Sequence, residues 1–189
     1  MTIPLILLGI VAVFLALVVF VALRPSEFKV SRSIRVDASP QLAFEQVNDL
    51  RRWEAWSPWA KLDPDAEWTY EGPPAGAGAT VEWSGNRNIG KGRMTIVESH
   101  PSELVKFRLD FLKPFDSTCF AQFTFKLEGD QTVVTWSMEG KNNFVAKAMG
   151  LFMNCEKMVG GQFEKGLAQL KSLAEEAARK STVLSHANI

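Results

Sequence analysis

Histidine, cysteine and net charge are what this chain has least of. His100 and His186 are its two histidines, Cys119 and Cys155 its two cysteines, and 21 Lys+Arg balance 21 Asp+Glu. Nucleophilic catalysis needs a Ser or Cys beside a base. His100 stands in a turn-forming stretch before Pro101 and His186 lies near the C-terminus, so neither fits that role. The cysteines form neither a metal-ligand spacing nor a disulfide framework, and read as small apolar residues. No His/Cys/carboxylate cluster has metal spacing, so no metal and no other cofactor is expected. Balanced charge leaves no basic field for nucleic acid. Gly76-Ala77-Gly78 and Gly85 do not open a helix after a strand, which argues against a phosphate-cradling loop. There is no Asn-x-Ser/Thr sequon.

Charge is missing most completely at the start. From Met1 to Leu23 there is no charged side chain, and Ile3–Leu23 is Leu, Ile, Val, Ala and Phe broken only by Pro4 and Gly9. An apolar helix of about 20 residues spans a hydrocarbon core of about 30 Å. A cleaved signal peptide needs a basic start, a shorter apolar run and a small-x-small site. Met1-Thr2 and Val21-Ala22-Leu23-Arg24-Pro25 supply none of these. Residues 1–24 therefore read as a single-pass membrane anchor. Arg24, Lys29, Arg32 and Arg35 follow it, which by the positive-inside rule places the rest of the chain in the cytoplasm.

Residues 25–180 read as one domain, with 181–189 as a disordered tail. Phe28, Val30, Ile34 and Val36 alternate with Lys29, Ser31, Ser33 and Arg35, the pattern of a half-buried strand. Ser39-Pro40 reads as an N-cap with proline at the first helical position. A short helix with Leu42, Phe44 and Val47 inward follows, then a second over Leu50–Trp56. Six strands are expected near Glu67–Glu71, Ala79–Ser84, Ile89–Ser99, Glu103–Leu112, Thr118–Glu128 and Gln131–Lys141, separated by Gly, Pro, Asn and Asp turns. Such short connections make the sheet antiparallel. Phe144 to about Lys180 reads as one long helix, with Phe144, Ala148, Leu151, Phe152, Cys155, Val159, Phe163, Leu167, Leu170 and Ala174 on one stripe. Only that helix is long enough to cover the concave face of a curved sheet.

These residues carry a resemblance. The stretch Val30-x-Arg32-Ser33-Ile34-x-Val36, then Trp53-x-x-Trp56-Ser57-Pro58-Trp59, Asp63-Pro64, Gly76-x-Gly78, Trp83-x-Gly85-Asn86 and Gly90-x-Gly92-x-Met94-x-Ile96, resembles the type-2 polyketide cyclase/dehydrase family of the START-like (SRPBCC) superfamily. The likeness covers about Phe28 to Leu173. It implies the α+β helix-grip fold, a curved antiparallel sheet wrapped around a long C-terminal helix, with a hydrophobic ligand cavity between them. It brings no catalytic constellation to these positions.

The cavity lining expected from face parity is Trp83, Met94, Phe107, Leu109, Phe123, Phe125, Trp136, Met138, Phe152 and Met158. Trp53, Trp56 and Trp59 recur every third residue and read as a cap over one cavity end, with a gate as the functional alternative. Few groups qualify as a catalytic acid or base. Tyr70 is the sole tyrosine, and Glu82, Arg93, Arg108, Asp110 and Glu139 fall on the solvent side of their strands. Three functions fit: a membrane-anchored binder of a small hydrophobic molecule such as a lipid, a cyclase or dehydrase, and a membrane accessory protein acting through a protein partner.

Overall fold

In the computed structural model, which describes residues 2–114, 116–151 and 155–187, the apolar run is a helix, α1 (Thr2–Leu23). Its span Ile6–Leu23 is long and apolar enough to cross a membrane, and only 6% of it is buried, so it is not a core helix of the domain. β1 (Glu27–Val36) follows, then α2 (Pro40–Asn48) with Pro40 in its first turn. The second short helix expected from the sequence is split. A 3-10 turn, Leu50–Arg52, is capped by Asp49 accepting from Arg51 N, and α3 (Trp53–Trp56) comes after it.

The repeated strands are β2 (Glu67–Glu71), β3 (Thr80–Ser84), β4 (Lys91–His100), β5 (Leu104–Lys113), β6 (Ser117–Glu128) and β7 (Gln131–Lys141). Each begins and ends within two residues of its sequence expectation. With β1 they form one seven-stranded antiparallel sheet in the order β1-β7-β6-β5-β4-β3-β2. Register shifts interrupt the β4–β5 ladder at Lys91/Gly92 and Ile96/Glu98. Bulges of this kind bend a strand and increase its twist. The sheet is thereby curved, with Val105, Phe107, Phe123, Val134 and Trp136 buried on its inner face. On its other face Arg93 donates to Glu82 and Arg108 to Asp110, and Glu139 is exposed, the solvent side that parity assigned to all five.

The C-terminal segment is two helices rather than one. α4 (Phe144–Met149) is capped by the Asn143 side chain accepting from Ala146 N, and it closes where Gly150 N donates back to Ala146 O. Glycine is a poor helix former, and the expected stripe is cut there. Phe144 accordingly stands exposed instead of joining the core. α5 (Cys155–Ala187) resumes the stripe, burying Phe163, Leu167, Leu170 and Ala174. It also runs through most of the segment expected to be a disordered tail. The Glu-Glu-Ala-Ala-Arg-Lys run holds good helix formers, and Lys180 pairs with Glu176 one turn back.

Two glycines of α5 give opposite expectations. A Cβ on Gly161 would meet nothing within 4 Å, whereas one on Gly166 would sit 2.8 Å from Trp136 Cζ3 and 3.1 Å from Pro58 Cδ. Gly161→Ala should therefore stabilise the domain by up to about 1 kcal/mol in chemical denaturation. Gly166→Ala gains the same propensity but overpacks a stacked ring, a fault that costs about 1–3 kcal/mol, so a net loss is expected.

Candidate functional site

Face parity alone puts every inward residue of the sheet in one row, but packing divides that row in two. In one half, Trp136 is stacked on Phe163 at 4.1 Å and on Phe123 at 4.6 Å. Trp53, Trp56 and Trp59 meet the Trp136 ring edge-to-face at 5.5–6.0 Å. Such pairs add about 0.5–1.5 kcal/mol each beyond area burial. Trp56 and Trp53 are fixed by indole donation to Gln46 O and Val47 O. Trp136 Nε1 is the one buried side-chain nitrogen without a hydrogen-bond partner among the described residues. It lies among edge-to-face rings, where an N–H···π contact is the available substitute.

The other half is open. Between sheet and α5 lies a cavity of about 280 Å³. The sheet contributes Val81, Trp83, Met94, Leu109, Phe111, Ala121, Trp136 and Met138 to its wall, and Trp68 and Ile89 close one side. Val159 of α5 and Trp53, Ser57 and Trp59 cover it. Ser57 is the one polar residue of the wall; the rest are apolar or aromatic. Cavities of this make-up suit apolar ligands, and the volume stands at the small end of ligand sites.

Local chemistry shapes the wall. Trp83 is held by donation from its Nε1 to Ile89 O at 3.0 Å. Its ring crosses Gly92, where a Cβ would come within 2.3 Å of Cζ2. Asp63, in the loop after Trp59, is buried and accepts from Asn86 N at 2.6 Å and from Asp65 N at 3.3 Å. That carboxylate ties the α3–β2 connection to the β3–β4 loop that carries Ile89. The Asp63-Pro64 and Gly85-Asn86 motifs are thus two halves of one brace.

A second, more polar space of about 590 Å³ adjoins the first across Trp53, Ser57, Trp68, Val81 and Met94. Glu54, Lys61, Asp63 and Tyr70 border it. Burial, and after it the Glu54 charge, pushes the Tyr70 phenol above its ordinary value. Tyr70 therefore stays a neutral donor at physiological pH, with Arg51 placed 5.0 Å over its ring. No group of three or more His, Cys, Asp or Glu that could hold a metal occurs among the described residues.

Of the sequence-derived lining, Trp83, Met94, Leu109, Trp136 and Met138 stand on the cavity wall. Phe107 and Phe123 lie behind it in the aromatic cluster, and Phe125 packs edge-on against Phe44 of α2. Met158 is half exposed and stands off the wall, while Val159 lines the cavity, since one residue turns a helix by about 100°. Phe152 lies outside the described residues. Ala121 and Phe111 were missed although they share inward faces with Phe123 and Leu109. Of the three tryptophans expected to cap the cavity, Trp53 and Trp59 cover it, whereas Trp56 is entirely core.

Cys119, on β6, is buried, and burial pushes its thiol up to about 12. In a Cys155→Ser background the folded chain should resist an aromatic disulfide reagent at pH 8 and react only once denatured, as followed by thiolate release. Native-state reaction at the rate of a free thiol would contradict this burial.

The cavity is placed at one end of the sheet. Its strand residues lie toward the end where Glu27 pairs with Lys141 and Lys91 with Lys113. α1 enters the sheet at that end and α4 leaves it there. Asn142 N donates to Ser26 O, and Lys147 Nζ donates to Ala22 O at 3.2 Å, joining α4 to the last turn of α1.

A family described as "Polyketide cyclase / dehydrase and lipid transport" matches residues 27–175. No match was found among curated proteins. A solved protein of Chromobacterium violaceum is similar at 15% identity with a TM-score of 0.55, over 80% of this chain and 99% of that one. The Aha1 dimer from Colwellia psychrerythraea is similar at 14% identity and TM-score 0.56, over 78% and 96%. The di-domain ARO/CYC BexL from the BE-7585A biosynthetic pathway is similar at 15% identity and TM-score 0.55, over 84% of this chain and 52% of that one. At these identities the likeness is one of fold.

Proposed function

We propose that this chain, which belongs to the polyketide cyclase / dehydrase and lipid transport family, is a membrane-tethered domain that binds a small hydrophobic molecule between its sheet and α5. The observation that carries this reading is the Trp-walled cavity, lined by apolar and aromatic residues except for Ser57. Burying apolar ligand surface there contributes about 25 cal/mol per Å². The adjoining space with Tyr70, Glu54 and Lys61 suits a polar group on the same molecule, so an amphipathic ligand with a compact apolar body fits best.

The tether is α1, whose exposed Leu, Ile, Val and Phe side chains would be costly in water. Arg24 and Lys29 just after it favour a cytoplasmic domain. The test is native mass spectrometry, with organic extraction, of the full chain released from its host membrane in lipid nanodiscs. A stoichiometric apolar molecule supports binding. A protein that carries none and co-purifies with a partner protein would sink the reading.

An enzymatic reading draws on one observation, that Tyr70 and Glu54 border the polar space adjoining the cavity. It requires that Tyr70→Phe abolish turnover of the extracted molecule while leaving its binding intact. Unchanged turnover with that variant removes Tyr70 from any such role.

A further inference from the structure

Large exposed hydrophobic residues of the domain are gathered at the end of the sheet where the cavity lies. Leu62, Trp68, Leu112, Phe144, Val145 and Met158 stand there, against Val97, Leu127 and Val183 elsewhere on the inner domain and helix end, with Phe120 on the sheet's outer face. Scattered single residues of this kind are ordinary; what sets Leu112, Phe144 and Val145 apart is their place at the sheet end where α1 enters. Phe144 and Val145 are adjacent on α4, and Leu112 ends β5 at the β5–β6 connection.

α1 fixes what that surface meets. Lys147 of α4 donates to Ala22 O, one residue before the end of α1, and Val21 is buried against the domain. If α1 spans a bilayer, its last turn sits at the lipid–water boundary, and α4 is held within hydrogen-bond reach of it. The exposed lysines Lys91 and Lys113 face each other across two strands at the same end, with Lys141 on β7. Like charges opposed in this way are unfavourable unless an anion lies near. Asp110 and Asp116 are the acidic residues nearest in sequence to Lys113, and Glu27 lies opposite Lys141; Asp110 pairs with Arg108, and none of the three forms an ion pair with these lysines among the described residues.

We infer that this end of the domain rests on the bilayer surface. The side chains of Leu112, Phe144 and Val145 enter the interfacial region, and Lys91, Lys113 and Lys141 meet lipid phosphates. The inference rests on the membrane tether proposed above. The cavity then opens beside lipid, and an apolar ligand passes between bilayer and cavity without crossing bulk water. Interfacial contacts of this type join apolar burial to attraction between basic residues and lipid headgroups.

The test uses the full chain in vesicles of phosphatidylcholine and anionic phosphatidylserine. A Cys155→Ser background carries a fluorophore at Leu112→Cys, Val145→Cys or Asp130→Cys; the buried Cys119 stays unlabelled. Flotation with the vesicles reads the tether. Quenching by lipid bearing a nitroxide near its headgroup reads the docking. The expected result is flotation, with quenching at positions 112 and 145 several-fold above that at 130, in the turn at the opposite end. Lys91→Glu with Lys113→Glu should weaken docking by more than about twentyfold, at about fivefold per lysine removed from the surface. A chain that floats with equal, weak quenching at all three positions overturns the docking and leaves the tether standing. A chain that does not float overturns both.

Discussion

Ala121→Phe is expected to abolish ligand binding while leaving the domain folded and raising its melting temperature. Ala121 sits on β6 in the cavity wall, between Phe107 and Met138 in register. A cavity of about 150 Å³ holds a benzene molecule, so a phenyl group would take about half of the 280 Å³ present. Filling a void of this kind commonly stabilises by about 0.5–2 kcal/mol. Overpacking a solid core costs about 1–3 kcal/mol instead. The sign of the change in melting temperature therefore reports whether the space is empty. Ligand recovered by extraction should fall more than tenfold. Retained ligand together with a lower melting temperature would mean that binding occurs elsewhere and that this region is already filled.

Phe123→Ala is expected to do the reverse, with the largest loss of stability among single changes discussed. Phe123 is one strand position pair from Ala121 on the same face of β6 but is fully buried. Its ring stacks on Trp136 and meets Trp53, Trp56 and Phe107 edge-on. Truncating a buried Phe costs about 3–5 kcal/mol, from lost transfer energy and the hole left behind. For a domain of this size 1 kcal/mol moves the melting temperature by about 2–4 °C, so a fall on the order of 10 °C should appear in a thermal melt. A shift of only a degree or two would show that the aromatic cluster repacks and is not the domain's rigid centre.

The contrast between Ala121 and Phe123 shows how far sequence reasoning reached. Alternation along β6 puts both on the inner face. Which one borders open space depends on what arrives from elsewhere in the chain. Trp53 and Trp56 close over Phe123, whose neighbour Trp136 is stacked against Phe163 of α5, while α5 presents the smaller Val159 to the wall that Ala121 shares. Met158 and Val159 make the same point on the helix. The stripe holds Val159, which stands on the cavity wall, while Met158, one residue off that stripe, is turned from it by about 100° and is half exposed.

The amino-acid sequence by itself determined the uncharged, membrane-length first helix, the strands and their alternating faces, and the turns between them. Each of these follows from local periodicity, propensity and charge. It also carried the family motifs, whose Trp, Gly, Asp and Pro residues prove to be structural: the Asp63–Asn86 brace and the Trp83 ring laid over Gly92. Only the tertiary structure decided where the sheet's inner face is packed and where it is hollow. It also decided which end of the domain holds the hollow, and that α4 clasps the end of α1 beside it. These are long-range outcomes, set by volumes that meet across the fold from residues more than a hundred positions apart, and no local pattern encodes the sum of those volumes.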